Sequence, residues 1–322
     1  MPEIITTSAT NYDKALTDLV VKTLEQELRP DLVWVREAIP ATFIAGTNNT
    51  MRFLRVEDMD VTTGTPTPGV SPWLSEGVTP DGEDLEFGYE EFSAYQAGRR
   101  LQLTDKAMER WNAGGGLMPI ATEKISRNAA ATSDKYVSDV VLAGTNVLYA
   151  GTGNTHSHDV AAGDVITGKL LRKAVATLKT DLIPTFGDGS YHAMVHPGVV
   201  FDIEGDEGVG GWIEAAKYAG SAQLFSGEIG KYAGIRFIET TTAGVKTGQG
   251  TTSIDVYSTT IFGPNAFVFG DWGTIQVFVT PPGGGGDELH QRASVGWKGN
   301  YGAKLLEEVA PKYLRLESAS GL

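Results

Sequence analysis

Between a triple-glycine break at Gly114-Gly115-Gly116 and Gly144, one helical stripe runs without interruption. Leu117, Ala121, Ile125, Ala129, Thr132, Tyr136, Val140 and Ala143 recur at spacings of four or three. Such spacing returns each side chain to one side of a 3.6-residue helix, and Gly144 supplies the C-terminal stop. At 1.5 Å per residue the helix spans about 40 Å. A helix of that length, with a narrow stripe of small and medium side chains, is a strut. The whole chain has 322 residues, enough for two domains or for one large domain with extended arms around such a strut.

The flanking sequence is loop-rich. Forty glycines, well above the usual share of about 7%, imply many turns without any collagen-like or linker period. Upstream, Leu16, Val20, Leu24 and Leu28 fall four apart and predict an amphipathic helix over 12–28, stopped by Pro30. Val33, Trp34 and Val35 form a short apolar patch, the anchor of an arm. Residues 50–57 read as a strand, and a second strand-like stretch runs from Leu85 to Leu103 with Phe87, Tyr89 and Phe92. The segment 58–84 between them is far longer than the usual connection of about 4–6 residues. It carries Trp73, Leu74 and Val78 near its middle. Apolar groups at the tip of a long loop make sense against a neighbour.

Beyond the strut, Ile166, Leu170, Ala174 and Leu178 predict a helix over 164–180 opened by Asp164. Tyr191–Val195 reads as a strand, with short helices over 197–205 and 211–219. Ile235–Glu239, Ile254–Tyr257, Ala266–Phe269 and Ile275–Val279 are further strands. Pro281-Pro282 and the glycines 283–286 mark a boundary or an ordered crossover, after which 288–318 holds more strand-like material. The mixture is α+β.

Chemistry-bearing patterns are weak. Gly163 to Leu170 nearly matches a phosphate loop, but the position after Lys169 is Leu170, where Ser or Thr would hold magnesium. His156, His158 and Asp159 sit in a Gly/Thr/Asn-rich stretch and read as a solvated turn rather than a metal site. His192 and His196 lie about 13 Å apart on a strand, too far to share one ion, and read as structural. No nucleophile elbow or dinucleotide loop is present, so catalytic, cofactor-binding and metal residues are all expected to be none. Cysteine is absent, which removes disulfides and thiolate chemistry. The net charge of −14 comes without any basic cluster longer than Arg99-Arg100 or Arg172-Lys173. That balance argues against a surface built to grip nucleic acid. No leader-like or membrane-spanning run occurs, so a soluble protein made in a cytoplasm is expected.

Several stretches resemble the major capsid proteins of tailed bacteriophages, which share the Hong Kong-type capsid fold. They are Ser75-Glu-Gly-Val-Thr-Pro80, His196-Pro-Gly-Val-Val-Phe-Asp-Ile203, Trp212 to Gly220, Gly227 to Thr240, and Gln291 to Lys298. They recur in order from about residue 40 to 318. The resemblance implies an N-terminal arm over 1–49 and an extended-loop hairpin over 50–103 that overlies a neighbouring subunit. It implies a peripheral domain over 104–144 and 287–322, with the strut as its spine helix, and an axial domain over 145–286. Subunit contacts are then expected at Trp73, Leu74, Glu76 and Val78 of the loop, and at Val33, Trp34 and Val35 of the arm.

The resemblance further implies self-assembly into hexamers and pentamers of an icosahedral head shell. The shell would enclose double-stranded DNA without specific binding, in the virion and, during assembly, in the host cytoplasm. Portal and scaffolding proteins, and in some relatives a decoration protein, are the implied partners. Some relatives cross-link through a lysine of the extended loop, but 56–105 contains none. Others lose an N-terminal scaffolding segment, which the short arm from Met1 argues against. Two other readings stand beside this one: an encapsulin-type nanocompartment shell, and an enzyme binding a nucleotide at 163–170.

Overall fold

The computed structural model describes residues 33–42, 50–56, 76–77, 87–110, 117–205, 228–273, 275–283, 287–306 and 311–322. The helices expected over 12–28 and 211–219 lie outside them. In chain order the elements begin with α1 (Val33–Glu37), β1 (Ile39–Thr42), β2 (Thr50–Val56), β3 (Phe87–Ser93), β4 (Tyr95–Thr104), α2 (Asp105–Arg110) and α3 (Leu117–Leu142). Next come β5 (Val147–Tyr149), α4 (Gly168–Thr180), β6 (Tyr191–Val195), α5 (Pro197–Glu204), β7 (Glu228–Tyr232), β8 (Ile235–Glu239) and β9 (Val245–Lys246). The last are β10 (Val256–Phe262), β11 (Phe267–Asp271), β12 (Gln276–Thr280), β13 (Arg292–Leu305) and β14 (Tyr313–Ser318).

α3 is the expected strut, but its buried face differs from the expected stripe. The first half agrees, at Ala121, Ile125 and Ala129; the second half buries Ser133, Asp134, Val137, Ser138 and Val141. Thr132, Tyr136 and Val140 are only half-buried. The expected row takes a three from Ala129 to Thr132 and so steps back around the helix. The buried face instead keeps to fours through Ser133, Val137 and Val141, advancing 40° per step at 100° per residue. It was masked because it is polar in composition. Ser126 and Ser133 donate their hydroxyls to the carbonyls of Thr122 and Ala130, at 2.9 and 3.0 Å, and so enter the core satisfied. Pro119 falls in the first turn, where no intrahelical donor is needed.

Two sheets divide the described chain. The five-stranded sheet runs β1-β11-β13-β12, with β4 on the other side of β13. Fourteen residues of β13 serve three strands, and its register with β4 covers ten pairs from Arg292↔Thr104 to Tyr301↔Tyr95. α3 lies along one face, where Ile125 and Ala129 meet Val277, Val295, Trp297 and Tyr301. The Trp297 indole donates to Asn128 Oδ1 at 3.1 Å, fixing helix to sheet.

The seven-stranded sheet runs β5-β14-β10-β6-β8-β7, with β9 on β10. α4 and α5 cover it through Leu171, Ala174, Leu178, Val199 and Ile203, packed on Ala193, Val195, Ile235, Phe237, Leu314 and Leu316. α4 is capped by Thr167, whose hydroxyl accepts from Leu170 N. Asp164, expected in that role, instead accepts from Ala161 N and the Asn154 amide at 2.9 and 2.8 Å.

The sheets do not divide the sequence where the proline-glycine run suggests. Pro281-Pro282 sits in the connection between β12 and β13, neighbours in one sheet. The chain leaves the seven-stranded sheet after Phe262, enters the five-stranded sheet at Phe267, and returns between Leu305 and Tyr313. A core of Trp34, Val137, Val141, Met194, Phe262, Phe267, Leu305 and Tyr313 joins the two at these crossings. Gly144 is tied there: a Cβ at this position would run into the Tyr313 hydroxyl.

Candidate functional site

The surfaces through which copies of such a chain could meet are built from the β2–β3 ribbon, the open face of the five-stranded sheet, and the arm. β2 and β3 pair antiparallel from Thr50↔Ser93 to Val56↔Phe87 as a separate two-stranded ribbon. The stretch read as one strand from Leu85 to Leu103 is thus two: it breaks at the buried Ala94, and β4 belongs to the five-stranded sheet. The β2–β3 pairing ends at Ser93.

The base of the ribbon is anchored on its own subunit. Phe92, Ala94 and Val268 are buried together, with Ile39, Ala41, Met51 and Phe53 packed against them. Phe53 and Phe92 stack at 5.8 Å. The buried Glu90 meets Lys304 of β13 at 3.5 Å. Gly302 lets the strands cross, since a Cβ there would lie 2.5 Å from the Ser93 carbonyl oxygen. Outward from this base, the alternation of a strand turns Phe87 and Tyr89 to solvent, 57% and 53% exposed. Arg52 bridges this outer face, reaching Glu91 at 3.1 Å and lying 4.8 Å from the Tyr89 ring centre. Of the expected loop contacts, Glu76 lies in an exposed turn with Gly77. Trp73, Leu74 and Val78 lie outside the described residues.

The sheet face turned away from α3 is open. Its positions are Gln96, Gly98, Arg100, Gln102 and Thr104 on β4; Arg292, Ser294, Gly296, Lys298 and Asn300 on β13; and Gln276, Phe278 and Thr280 on β12. Three carry positive charge and none is acidic, in a protein of net charge −14. Asp287, at its margin, meets Arg292 at 3.9 Å. Phe278 is 51% exposed on this polar face. The sequence signal, alternation within a strand, was available for β12 and β13, but sequence alone does not tell which face a helix will cover.

The arm behaves differently from the expectation of a subunit contact at Val33, Trp34 and Val35. These residues form α1, and Trp34 is fully buried in its own chain; Val33 and Val35 are half-buried beside it. Trp34 N and Val35 N both donate to Asp134 Oδ1 of α3, at 2.7 and 3.3 Å, and the Trp34 indole donates to Thr242 at 2.9 Å. Burial raises the pKa of Asp134, against the pull of those N–H donors. Glu37 ends the helix and meets His192 Nδ1 of β6 at 2.7 Å. Burial works against the charge on Glu37, but the hydrogen bond and charge of His192 outweigh it and lower its pKa. α1 is therefore latched to α3 and to β6, and Trp34 has no surface left for a neighbour.

The remaining sequence candidates are placed as follows. His196 caps α5 by accepting from Gly198 N at 3.1 Å, and His192 is held by Glu37, so both are structural. The 163–170 stretch holds Asp164 with its carboxylate already engaged and Thr167 as a cap, the geometry of an ordinary helix start.

A spine helix on one sheet, a second sheet with its own helices and a separate two-stranded ribbon together match a capsid subunit of the Hong Kong type. Solved structures agree. The capsid of Ralstonia phage GP4 superposes with a TM-score of 0.66 at 12% identity, over 88% of this chain and 87% of that one. The cyanophage Pam1 capsid asymmetric unit gives 0.64 at 12%, over 86% of both. Mycobacterium phage Che8 gives 0.58 at 18%, over 84% and 85%. No curated protein matches. The family model described as phage capsid protein matches residues 88–310, and the chain belongs to that family. It is a major capsid protein, a structural subunit of the virion's head shell.

Proposed function

We propose that the subunit assembles as hexamers and pentamers of an icosahedral lattice, formed in the host cytoplasm, in which the extended loop of one copy lies over the open sheet face of the next. Charge complementarity carries this reading. The loop sequence 57–86 holds Glu57, Asp58, Asp60, Glu76, Asp81, Glu83, Asp84 and Glu86 with no lysine or arginine. The open face holds Arg100, Arg292 and Lys298 with no acid on its strands. Opposite charges across such a contact fix register and suppress wrong pairings. Trp73, Leu74 and Val78 supply apolar anchors, and Phe278 offers an apolar seat. A Trp that buries about 150–250 Å² gains up to roughly 4–6 kcal/mol. Repeated once per subunit, the contact closes a shell.

In this reading the five-stranded sheet with α3 forms the peripheral domain, and the seven-stranded sheet forms the axial domain around the hexamer and pentamer centres. The enclosed double-stranded DNA is held without specific contacts, as the acidic balance of the chain favours. Portal and scaffolding proteins take part in assembly, and the outer surface is open to a decoration protein. The test pairs two changes: deletion of 62–84, and Arg100→Glu with Lys298→Glu. Each is expected to leave the circular dichroism of the subunit intact while shells fail to close or dissociate earlier, judged by sedimentation and microscopy. Normal shells of normal stability from either variant would refute the docking. Loss of the fold in the deletion would place the loop in the subunit's own core.

A further inference from the structure

One cluster outside the assembly surfaces is built for a different chemistry. Ser157–Asp159 form a single 3-10 turn, and the rings of His156 and His158 stack above it with centroids 5.1 Å apart. The Asp159 carboxylate reaches both. Its Oδ2 lies 3.7 Å from His156 Nδ1, and its Oδ1 lies 3.3 Å from His158 Nε2. One donor atom from each residue falls within 4.8 Å of the other two. Ligands at about 2.0–2.1 Å from a tetrahedral zinc ion stand about 3.4 Å apart. The His158 Nε2–Asp159 Oδ1 edge is already close to that length, and the remaining edges lie within 4.8 Å, within reach of rotation of the two exposed imidazoles.

The support beneath the cluster is ordered. Thr155 N and His156 N donate to Asp159 Oδ2 at 3.1 and 3.0 Å, which orients the carboxylate and leaves Oδ1 free. The Thr155 N–H is also the main reason the Asp159 carboxyl sits below its usual pKa. The Ser157 hydroxyl donates to the fully buried Glu317 at 2.6 Å, and the Thr251 hydroxyl donates to the His158 carbonyl at 2.9 Å. The base is thus pinned to β14 while both imidazoles are open to solvent. The Thr155 hydroxyl lies 2.9 Å from His156 Nδ1 and, being exposed, is free to rotate away from that nitrogen.

We infer that His156 Nδ1, His158 Nε2 and Asp159 Oδ1 hold one zinc-class divalent ion per subunit, with water in the remaining position. Two imidazoles and one carboxylate suit zinc, and a single carboxylate is too few hard oxygens for calcium or magnesium. The test is calorimetric titration of the full chain with zinc chloride, repeated with magnesium chloride. One equivalent of zinc per subunit is expected, with no magnesium heat. His156→Ala with His158→Ala should weaken zinc binding at least tenfold, and His290→Ala should not change it. Since both histidines are exposed, circular dichroism of the double variant should match the parent. Absence of zinc binding by the parent, or unchanged binding by the double variant, would overturn the assignment. Neither result bears on shell formation.

Discussion

Trp34→Ala tests whether the arm belongs to its own subunit. The Trp34 side chain is fully buried among Val137, Val141, Phe262 and Phe267, its ring centre 6.3 Å from that of Phe267. Truncating a buried aromatic to alanine costs about 3–5 kcal/mol, because the cavity it leaves collapses only in part. The change also removes the donor that Thr242 accepts, a loss of about 1 kcal/mol. At a urea slope of about 3 kcal/mol per molar, the unfolding midpoint should fall by 1 M or more. Trp34→Phe keeps most of the apolar volume and should lose roughly a third as much. The assay is urea unfolding of unassembled subunits, followed by circular dichroism at two protein concentrations tenfold apart. The midpoint shift should be the same at both, since every partner of Trp34 is intramolecular. A subunit of unchanged stability whose assembly alone is weakened would refute the reasoning and return Trp34 to a neighbour's surface.

Three further outcomes follow from the same geometry. Asp188 accepts from the Ser190 hydroxyl at 2.6 Å and meets Lys231 at 2.9 Å, and these contacts outweigh burial and hold its pKa well below the ordinary carboxylate value. A depressed folded pKa stabilises above the unfolded value and is lost as pH falls through the folded one; Asp188→Asn should lower the melting temperature at pH 7, and the gap from the parent should close on acidification below about pH 4. Gly302→Val should cost about 1–3 kcal/mol by pushing β3 off β13, seen as a lower urea midpoint; an unchanged midpoint would show that the crossing tolerates a side chain. With no lysine in 56–105, particles boiled in denaturant should run as one band near 34.3 kDa, and a ladder of covalent oligomers would contradict a non-covalent shell.

What the sequence made legible was mostly local. The strut, the α4 helix, β6 and the strands between Ile235 and Val279 were signalled by period and by turn residues. The lower half of the α3 face was hidden because Ser133, Asp134 and Ser138 are buried through hydrogen bonds rather than through apolar area. β14 was similarly disguised. Tyr-Leu-Arg-Leu-Glu-Ser alternates as if one face met water, yet all six residues are buried. Glu317 is satisfied there by Lys246, Arg315 and Ser157, at 2.5, 3.1 and 2.6 Å. The division between the sheets left no mark at Phe262 or Leu305, because a crossing needs only a few residues. The run of prolines and glycines was compatible with a boundary or a crossover, and it lies in the connection between the paired strands β12 and β13. For the assembly surfaces, sequence supplied the loop's acidity and its apolar tip, while the basic face emerged only when β4, β13 and β12 were laid side by side.

The placement of β14 has a consequence for how a subunit comes into being. This strand enters between β5 and β10, pairing Arg315 with Val147 in one direction and Tyr257 with Ser318 in the other. Until it arrives, a ribosome-bound chain holds two unsatisfied strand edges open, with the crossings still unmade. Pairings this distant along a chain form slowly, because loop closure must precede any reward from contact. Nascent chains crowded on one message would therefore meet one another edge to edge before they could meet as finished subunits. The rate at which β14 inserts, set against local chain density, decides how much of the synthesised protein reaches the lattice and how much is lost to aggregates.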